Sequence, residues 1–442
     1  MSPSSGLSTF ARMTKRPEFS RLPGFRDFPP EDLALRSRIF EAWRRVSRRY
    51  GFLEYDAPPL EPLELYVEKS GEEIVGQLYA FTDKGDRKVA MRPEMTPSLA
   101  RMLAERSRAL PKPIRWFSLP QLFRYERQQR GRLREHFQWN VDVVGEGDEA
   151  ADAEVLAVAL DGLREMGLTS SDIRARVSDR RLLSALLRAV GVEDAELLAV
   201  FGVVDKIERM APAAVRQQLE ERIGLDGPIA DRVIAMFELS GLDAISAEYG
   251  EDPEVSTCVG RLRSYVEQLN ALGLEDFVEV DLRIVRGLAY YTGIVFEVFD
   301  RAGELRAICG GGRYDGLLER VGGESLPAVG FGMGDVVLSE LLRDRDLVPE
   351  VPSAAEVAIV FVTPAQRLDA ARVAAGLRRK GKQVVYALRE QPLRKQFQSA
   401  SNAGVAEVVV LGPDEAARGV AIIRDMGSGA EREVTLEELI GP

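Results

Sequence analysis

The chain has 442 residues, 45% apolar and 29% charged, with a formal net charge of −11; it is too long for one ordinary core and reads as two or three globular folding units. No apolar run reaches the roughly 18 residues that a membrane span needs, and the start lacks the apolar core of a secretory signal, so a soluble, cytoplasmic protein with no membrane partner is expected. A single histidine, His136, and two distant cysteines, Cys258 and Cys309, leave no basis for Ser-His or Cys-His catalysis, a multi-histidine metal site or a disulfide framework.

Residues 1–20 are predicted to form a flexible tail: the first 17 contain no acid and are rich in serine, with a short transit peptide as the alternative. In "LPGFRDFPPEDLALRSRIFEAWRRVSRRYGF" turn residues precede Leu33, Ile39, Trp43 and Val46, apolar positions at helical spacing. "EYDAPPLEP" is an extended, proline-punctuated edge, and strand-like runs follow at "LYAFTD", "KVAMRP" and "IRWFSLPQLFRYE". This first part of a sheet domain, residues 21–170, gives way over 171–255 to short helical blocks such as "RRLLSALLRAVG", read as an insertion. Strands return over 256–345, where Val278, Val280, Leu282 and Ile284 alternate with polar neighbours. After a linker at 346–354, "VAIVFV", a helix from Ala365 to Lys380, "KQVVYAL" and "VAEVVVLG" predict a small α/β domain with a largely parallel sheet over 355–442. The expected class is α+β, an antiparallel-sheet domain with a helical insertion followed by an α/β domain.

Chemistry concentrates in "FRYERQQRGRLREHFQWNVDVVG", Phe123 to Gly145, where eleven residues carry five arginines. Alternation puts Gln138, Asn140 and Asp142 on one face of a strand and Phe137, Trp139, Val141 and Val143 on the other. The expected hairpin has an apolar side against a core and a polar side lined by arginine, amide and carboxylate, with "RQQRGRLRE" as its tip. Planar guanidinium groups so placed point to an anion such as phosphate or carboxylate. His136 beside them is expected to be structural or to edge a substrate. "RGLAYYTG", Arg286 to Gly293, adds an arginine, two tyrosines and a threonine at a strand boundary, and in "CGGGRYDGLLERVG" three glycines lead towards a helix and invite close backbone approach. "GLRRKGKQ" is not a phosphate loop, because Gln383 stands where Ser or Thr would hold magnesium and the run goes from helix to strand; "GFGMGD" lacks the third glycine of a dinucleotide fingerprint.

Together these segments resemble the histidyl-tRNA synthetase family of class II aminoacyl-tRNA synthetases, from about Leu22 to the end. "LPGFRDFPPED" resembles the family's N-terminal signature, "EYDAPPLE" the first class motif at the dimer interface, and "MRPEMTPSLARM" its amino-acid-binding segment. "FRYERQQRGRLREHFQ" resembles the second class motif, "VRGLAYYTGIVFE" and "GGGRYDGL" the histidine-specific motifs, and "LRKQFQSASNAGVAEVVVLG" the anticodon-binding domain. The resemblance implies a homodimer that uses ATP and Mg2+ to join L-histidine to tRNA(His) through a histidyl-adenylate. It implies that Arg124 and Arg286 hold the α-phosphate, that Glu94, Thr96 and Gln138 hold the substrate's amino group and surroundings, and that Asp142, Tyr290, Tyr291 and Tyr314 form or flank the imidazole pocket. Gln128, Arg130 and Arg132 fall to the tRNA acceptor end, with no protein-bound metal centre. Asp142 departs from the longer glutamate frequent in the family. Seven basic residues against one acid between Arg378 and Lys395 give the last domain a local balance of +6, suited to phosphate contacts.

The third class motif is incomplete. "AVGFGMGDVVLSELLRDR" has Val336 and Val337 where an acid and an arginine are expected, and Arg343 follows six residues later. Either another cation substitutes, with Arg313 and Arg320 as candidates, or the chain is a histidine-sensing relative such as a regulatory subunit of ATP phosphoribosyltransferase, or an inactive tRNA-binding protein.

Overall fold

The computed structural model describes residues 20–70, 76–127, 129–239, 241–285, 291–351, 353 and 355–441. The chain divides into two compact units, Met1–Pro349 and Glu350–Pro442. In chain order the first unit's strands are β1 (Leu53–Glu54), β2 (Leu60–Pro62), β3 (Ala80–Thr82), β4 (Lys88–Met91), β5 (Ile114–Ser118), β6 (Gln121–Phe123), β7 (Glu135–Val144), β8 (Ile173–Asp179), β9 (Val278–Val280), β10 (Ile294–Asp300), β11 (Cys309–Arg313) and β12 (Ala328–Gly334).

Nine of them form one sheet in the order β1-β5-β7-β12-β11-β10-β8-β9, with β6 also paired to β7. The pairs from β5 to β8 are antiparallel, and the edge pairs β1/β5 and β8/β9 are parallel. β2, β4 and β3 form a small antiparallel sheet. The hairpin expected from the arginine-rich stretch is present, with Leu122 opposite His136 and Phe123 opposite Glu135.

Alternation along β7 separates core from site. Trp139, Val141 and Val143 are buried on the core face. There Trp139 stacks on Trp43 at 5.8 Å, meets Phe331 edge-on at 5.0 Å, and donates from its indole nitrogen to the Ser47 hydroxyl at 3.0 Å. Trp43 comes from the helix Pro30–Arg49, whose buried residues Leu35, Ile39, Ala42, Trp43 and Val46 follow the predicted helical spacing. The helix Glu149–Arg164 covers the same face, and Gly162 is required there because a Cβ would lie 2.3 Å from Trp139.

The region read as an insertion, 171–255, begins instead with β8 of the nine-stranded sheet, so the helical stretch starts at Arg180; it holds Arg180–Ala189, Leu197–Val204, Gly227–Met236 and Gly241–Tyr249 and leads into the long helix Pro253–Ala271, which runs past 255. The strand expected to run on through Leu282 and Ile284 stops at Val280. Asp281 turns the chain: its carboxylate accepts from the Arg283 backbone N–H at 3.0 Å and from Arg176 Nε at 2.6 Å. Leu282 and Ile284 are nevertheless buried.

In the second unit β13 (Val357–Phe361), β14 (Val384–Tyr386), β15 (Glu407–Leu411), β16 (Val420–Asp425) and β17 (Glu431–Thr435) form a sheet in the order β14-β13-β15-β16-β17. The first three are parallel, as expected; β15/β16 and β16/β17 are antiparallel. The helix Arg367–Arg379 packs Ala370, Val373 and Ala374 into a core with Val357, Ile359 and Phe361. No helix of the described residues is long and apolar enough to cross a membrane.

Candidate active site

The polar face of β7 runs beneath two adjoining cavities. The smaller, about 100 Å³, is lined by Glu94, Thr96, Arg124, Gln138, Asn140, Asp142, Tyr291 and Tyr314, with Gly310, Gly330, Phe331 and Gly332. It thus brings together the described residues that the sequence assigned to amino-acid binding, plus Arg124. Thr96 begins the helix Thr96–Arg106, and Glu94 lies in the short irregular stretch between β4 and that helix. Asp142 is buried and accepts a hydrogen bond from the Tyr314 hydroxyl at 2.5 Å. Arg286, Tyr290 and Gln128 lie outside the described residues.

The larger cavity, about 620 Å³, shares Arg124, Gln138, Gly310 and Gly332 with the smaller and adds Glu126, Arg132, His136, Arg209, Glu297, Glu304, Arg306, Val336 and Val337. Its size falls within the roughly 300–1,000 Å³ of ordinary ligand pockets. Arg124 is aimed by a hydrogen bond from its Nε to the Pro93 carbonyl at 2.9 Å, and its backbone N–H reaches the Arg134 carbonyl at 2.9 Å. Arg132 forms an ion pair with Glu126. Its guanidinium is held below its ordinary pKa by burial and then by repulsion from Arg306 and Arg124, the mark of a cavity with an excess of cations. His136 is pushed down to about 3 by burial, with Arg124, Arg26 and Arg132 adding to it, so its imidazole is neutral at physiological pH.

The floor of both cavities is backbone. Along β12, "AVGFGMG" alternates core residues with glycine, and Gly330, Gly332 and Gly334 stand opposite Asp142, Asn140 and Gln138. A Cβ on Gly330 would lie 2.2 Å from Asp142 Oδ1, and one on Gly332 would lie 2.8 Å from the Gln138 amide. The glycines therefore leave the β7 side chains room to lie over the sheet. "GFGMGD" is a strand facing a site and not a loop, and its period-two glycines were the signal in the sequence that could have located this floor. Asn140 was also missed as a lining residue, although it shares the predicted face with Gln138 and Asp142.

Three sequence expectations are corrected. The run Gly310–Gly312 is not a loop entering a helix but part of β11, in the middle of the sheet; a Cβ on Gly311 would lie 2.3 Å from the Gly330 carbonyl oxygen. Arg313 does not replace the third-motif arginine. It is 1% exposed, paired with Asp152 and bonded to the Glu146 and Asp148 carbonyls at 3.0 and 3.1 Å. Arg320 is exposed on the short helix Leu317–Arg320, outside both cavities, and Arg343 faces Asp32 at 3.4 Å. Arg130, at the hairpin tip, lines neither cavity and pairs with Glu340 and Asp344 at 3.3 and 3.5 Å.

A small polar pocket thus adjoins an arginine-lined cavity and shares Arg124 and Gln138 with it, an arrangement suited to a small polar molecule beside an anion. The family model of histidyl-tRNA synthetase matches residues 24–335, and that of the anticodon-binding domain matches residues 356–441. Similar curated proteins include the histidine--tRNA ligase of Opitutus terrae, 44% identical over 95% of this chain and 97% of that protein. The chloroplastic/mitochondrial histidine--tRNA ligase of Arabidopsis thaliana is 40% identical over 94% of this chain and 85% of its own length. Among solved structures, a histidyl-tRNA synthetase from Nostoc sp. PCC 7120 superimposes with a TM-score of 0.81 at 26% identity, covering 96% of this chain and 98% of that one. The chain belongs to the histidyl-tRNA synthetase family.

Proposed function

We propose that the chain is a histidine--tRNA ligase that activates L-histidine with ATP and transfers it to tRNA(His). The observation that carries this reading is the shared wall of the two cavities: Arg124 and Gln138 line both, so an amino acid in the smaller can present its carboxylate to a nucleotide in the larger. In the first step a carboxylate oxygen of histidine attacks the α-phosphorus of ATP. An O–P bond forms, the bond from the α-phosphorus to the bridging oxygen breaks, and that electron pair leaves with pyrophosphate. No proton is transferred, which agrees with a site whose one histidine is held neutral. Rate then comes from positioning and charge neutralisation. In the second step the terminal hydroxyl oxygen of the tRNA attacks the carbonyl carbon of the adenylate, the bond from that carbon to the phosphate oxygen breaks, and AMP departs with the electron pair while the hydroxyl proton passes to its phosphate.

In this reading Arg124 and Arg286 hold the α-phosphate, and Glu94, Thr96 and Gln138 hold the ammonium group and its surroundings. Asp142 and Tyr314 recognise the imidazole, flanked by Tyr290 and Tyr291. An apolar side chain in that pocket would be set against the polar Asp142–Tyr314 pair with no group to meet it, so the pair disfavours substrates that lack a matching polar atom. Gln128, Arg130 and Arg132 attend the acceptor end. Among the described residues no group of three or more His, Cys, Asp or Glu forms a metal cage. Glu297 and Glu304 line the larger cavity, and Mg2+, commonly held by one or two carboxylates plus substrate phosphates, would take one of them there. Bound there, the ion would neutralise phosphate charge.

In the second unit Arg389, Arg394 and Lys395 are exposed and have no acid partner among the described residues, whereas Lys382 is engaged by Glu356 at 3.0 Å. They are the candidate contacts to tRNA phosphates. A homodimer through the segment around β1 and β2 is supported by Leu53, 68% exposed, and Leu60, 39% exposed. A cytoplasmic location suits two buried cysteines that form no disulfide.

The test is exchange of labelled pyrophosphate into ATP by the purified protein without tRNA. Exchange should require histidine and no other amino acid. Histidine binding without any exchange would move the reading to a regulatory relative.

A further inference from the structure

The larger cavity has an unassigned cation. Arg306 lies on the loop between β10 and β11 and lines the cavity beside Val336 and Val337, which give that stretch of wall no charge. Gly131, at the tip of the β6–β7 hairpin, closes over the same place. A Cβ there would lie 3.1 Å from Val337 Cγ2 and 3.9 Å from Arg306 Cδ, so the Arg306 stem occupies the corner formed by Gly131 and Val337. Arg306 is near enough to Arg132 to depress its pKa. Unlike Arg132, it has no hydrogen bond or ion pair to another described residue.

The loop that carries it is a built feature. The Asp300 carboxylate, 4% exposed, accepts from the backbone N–H of Glu304 at 3.2 Å and of Leu305 at 3.0 Å. On the far side Ile308 is buried and its N–H bonds the Val298 carbonyl at 2.8 Å. The two residues flanking Arg306 and Ala307 are thereby fixed, and the exposed guanidinium is delivered to the cavity from an anchored base. A guanidinium held among like charges, with no acid of its own, is arranged for an anionic ligand.

We propose that Arg306 binds the β- and γ-phosphates of ATP and stabilises the departing pyrophosphate, occupying the role for which the helix after β12 supplies only Val336 and Val337. This assignment rests on the reading of the larger cavity as the ATP site. The charge that develops when the bridging bond breaks falls on the pyrophosphate, and Arg306 meets it while Arg124 stays with the α-phosphate.

The experiment is histidine-dependent pyrophosphate exchange by wild type, Arg306→Ala, Arg306→Lys and, as an exposed arginine outside both cavities, Arg320→Ala. Arg306→Ala should lower kcat about 100-fold or more, with a raised KM for ATP and with histidine affinity and thermal unfolding unchanged. Arg306→Lys should recover part of the loss, and Arg320→Ala should match wild type. An Arg306→Ala variant within threefold of an active wild type would overturn the role of Arg306 and leave the reading of the cavity standing. A wild type without histidine-dependent exchange would overturn both.

Discussion

His136 shows how one side chain is set by its neighbours. It sits on the site face of β7 among Arg124, Arg26 and Arg132, and burial is the largest cause of its depressed pKa of about 3. Unfolded, the same imidazole takes up a proton near pH 6.5. Between those values the unfolded chain binds the extra proton, so this residue costs stability progressively as pH falls below about 6.5. His136→Gln should remove that dependence. Wild type is expected to lose up to about 2 kcal/mol relative to the variant between pH 7 and 5; urea unfolding of both at several pH values would measure it, and parallel curves would refute the assignment. The face that holds His136 was readable from alternation alone, as were Gln138 and Asp142. Arg306 was not, because a polar turn between two strands carries no local sign of what it faces. Arg313 was misplaced for a related reason: its partner Asp152 is 161 positions away, and such an ion pair is invisible to spacing.

At the scale of elements, the glycines of β11 and β12 determine what can be laid on the sheet. The sequence suggested that the glycines of "CGGGR" lead towards a helix and let backbone approach a ligand closely. In the structure these residues are buried mid-strand, where strands and side chains approach too closely for a Cβ. Composition showed where glycine was needed, and only tertiary packing shows why. Gly330→Ala tests the floor directly. Its methyl would meet Asp142 Oδ1 at 2.2 Å and the Val141 carbonyl oxygen at 2.7 Å, so the carboxylate must move and the strands must part. Loss of about 1–3 kcal/mol of stability is expected, with histidine affinity, measured by calorimetry, reduced at least about tenfold. Unaltered affinity would show that the substrate does not lie over this strand. The Asp281 turn is a parallel case. Alternation at Leu282 and Ile284 correctly marked buried residues but not a strand, since a side-chain cap on Arg283 redirected the backbone.

For the whole molecule, the sequence placed a change of architecture between 346 and 354, and the chain divides into units at 349 and 350. Each unit has its own sheet and core. A chain ending at Val351 should retain histidine-dependent pyrophosphate exchange within about threefold. Its charging of tRNA should fall by about 100-fold or more, because the phosphate contacts of Arg389, Arg394 and Lys395 are lost. Equal loss in both assays would count against this division of labour.

Within the first unit, Arg26 donates to Glu135 at 2.6 Å and to Asp335 at 2.9 Å, and Asp335 also accepts from the Phe137 backbone N–H at 2.8 Å. Both carboxylates are almost wholly buried, and either would be costly to leave without its cation. The three partners are 109 and 309 positions apart in the chain. During synthesis, therefore, this knot cannot be tied until position 335 has cleared the ribosome. The hairpin that bears Arg124 is made early and can pair its Glu135 with Arg26 at once, but one side of that guanidinium and the Phe137 N–H must wait about two hundred further residues for Asp335.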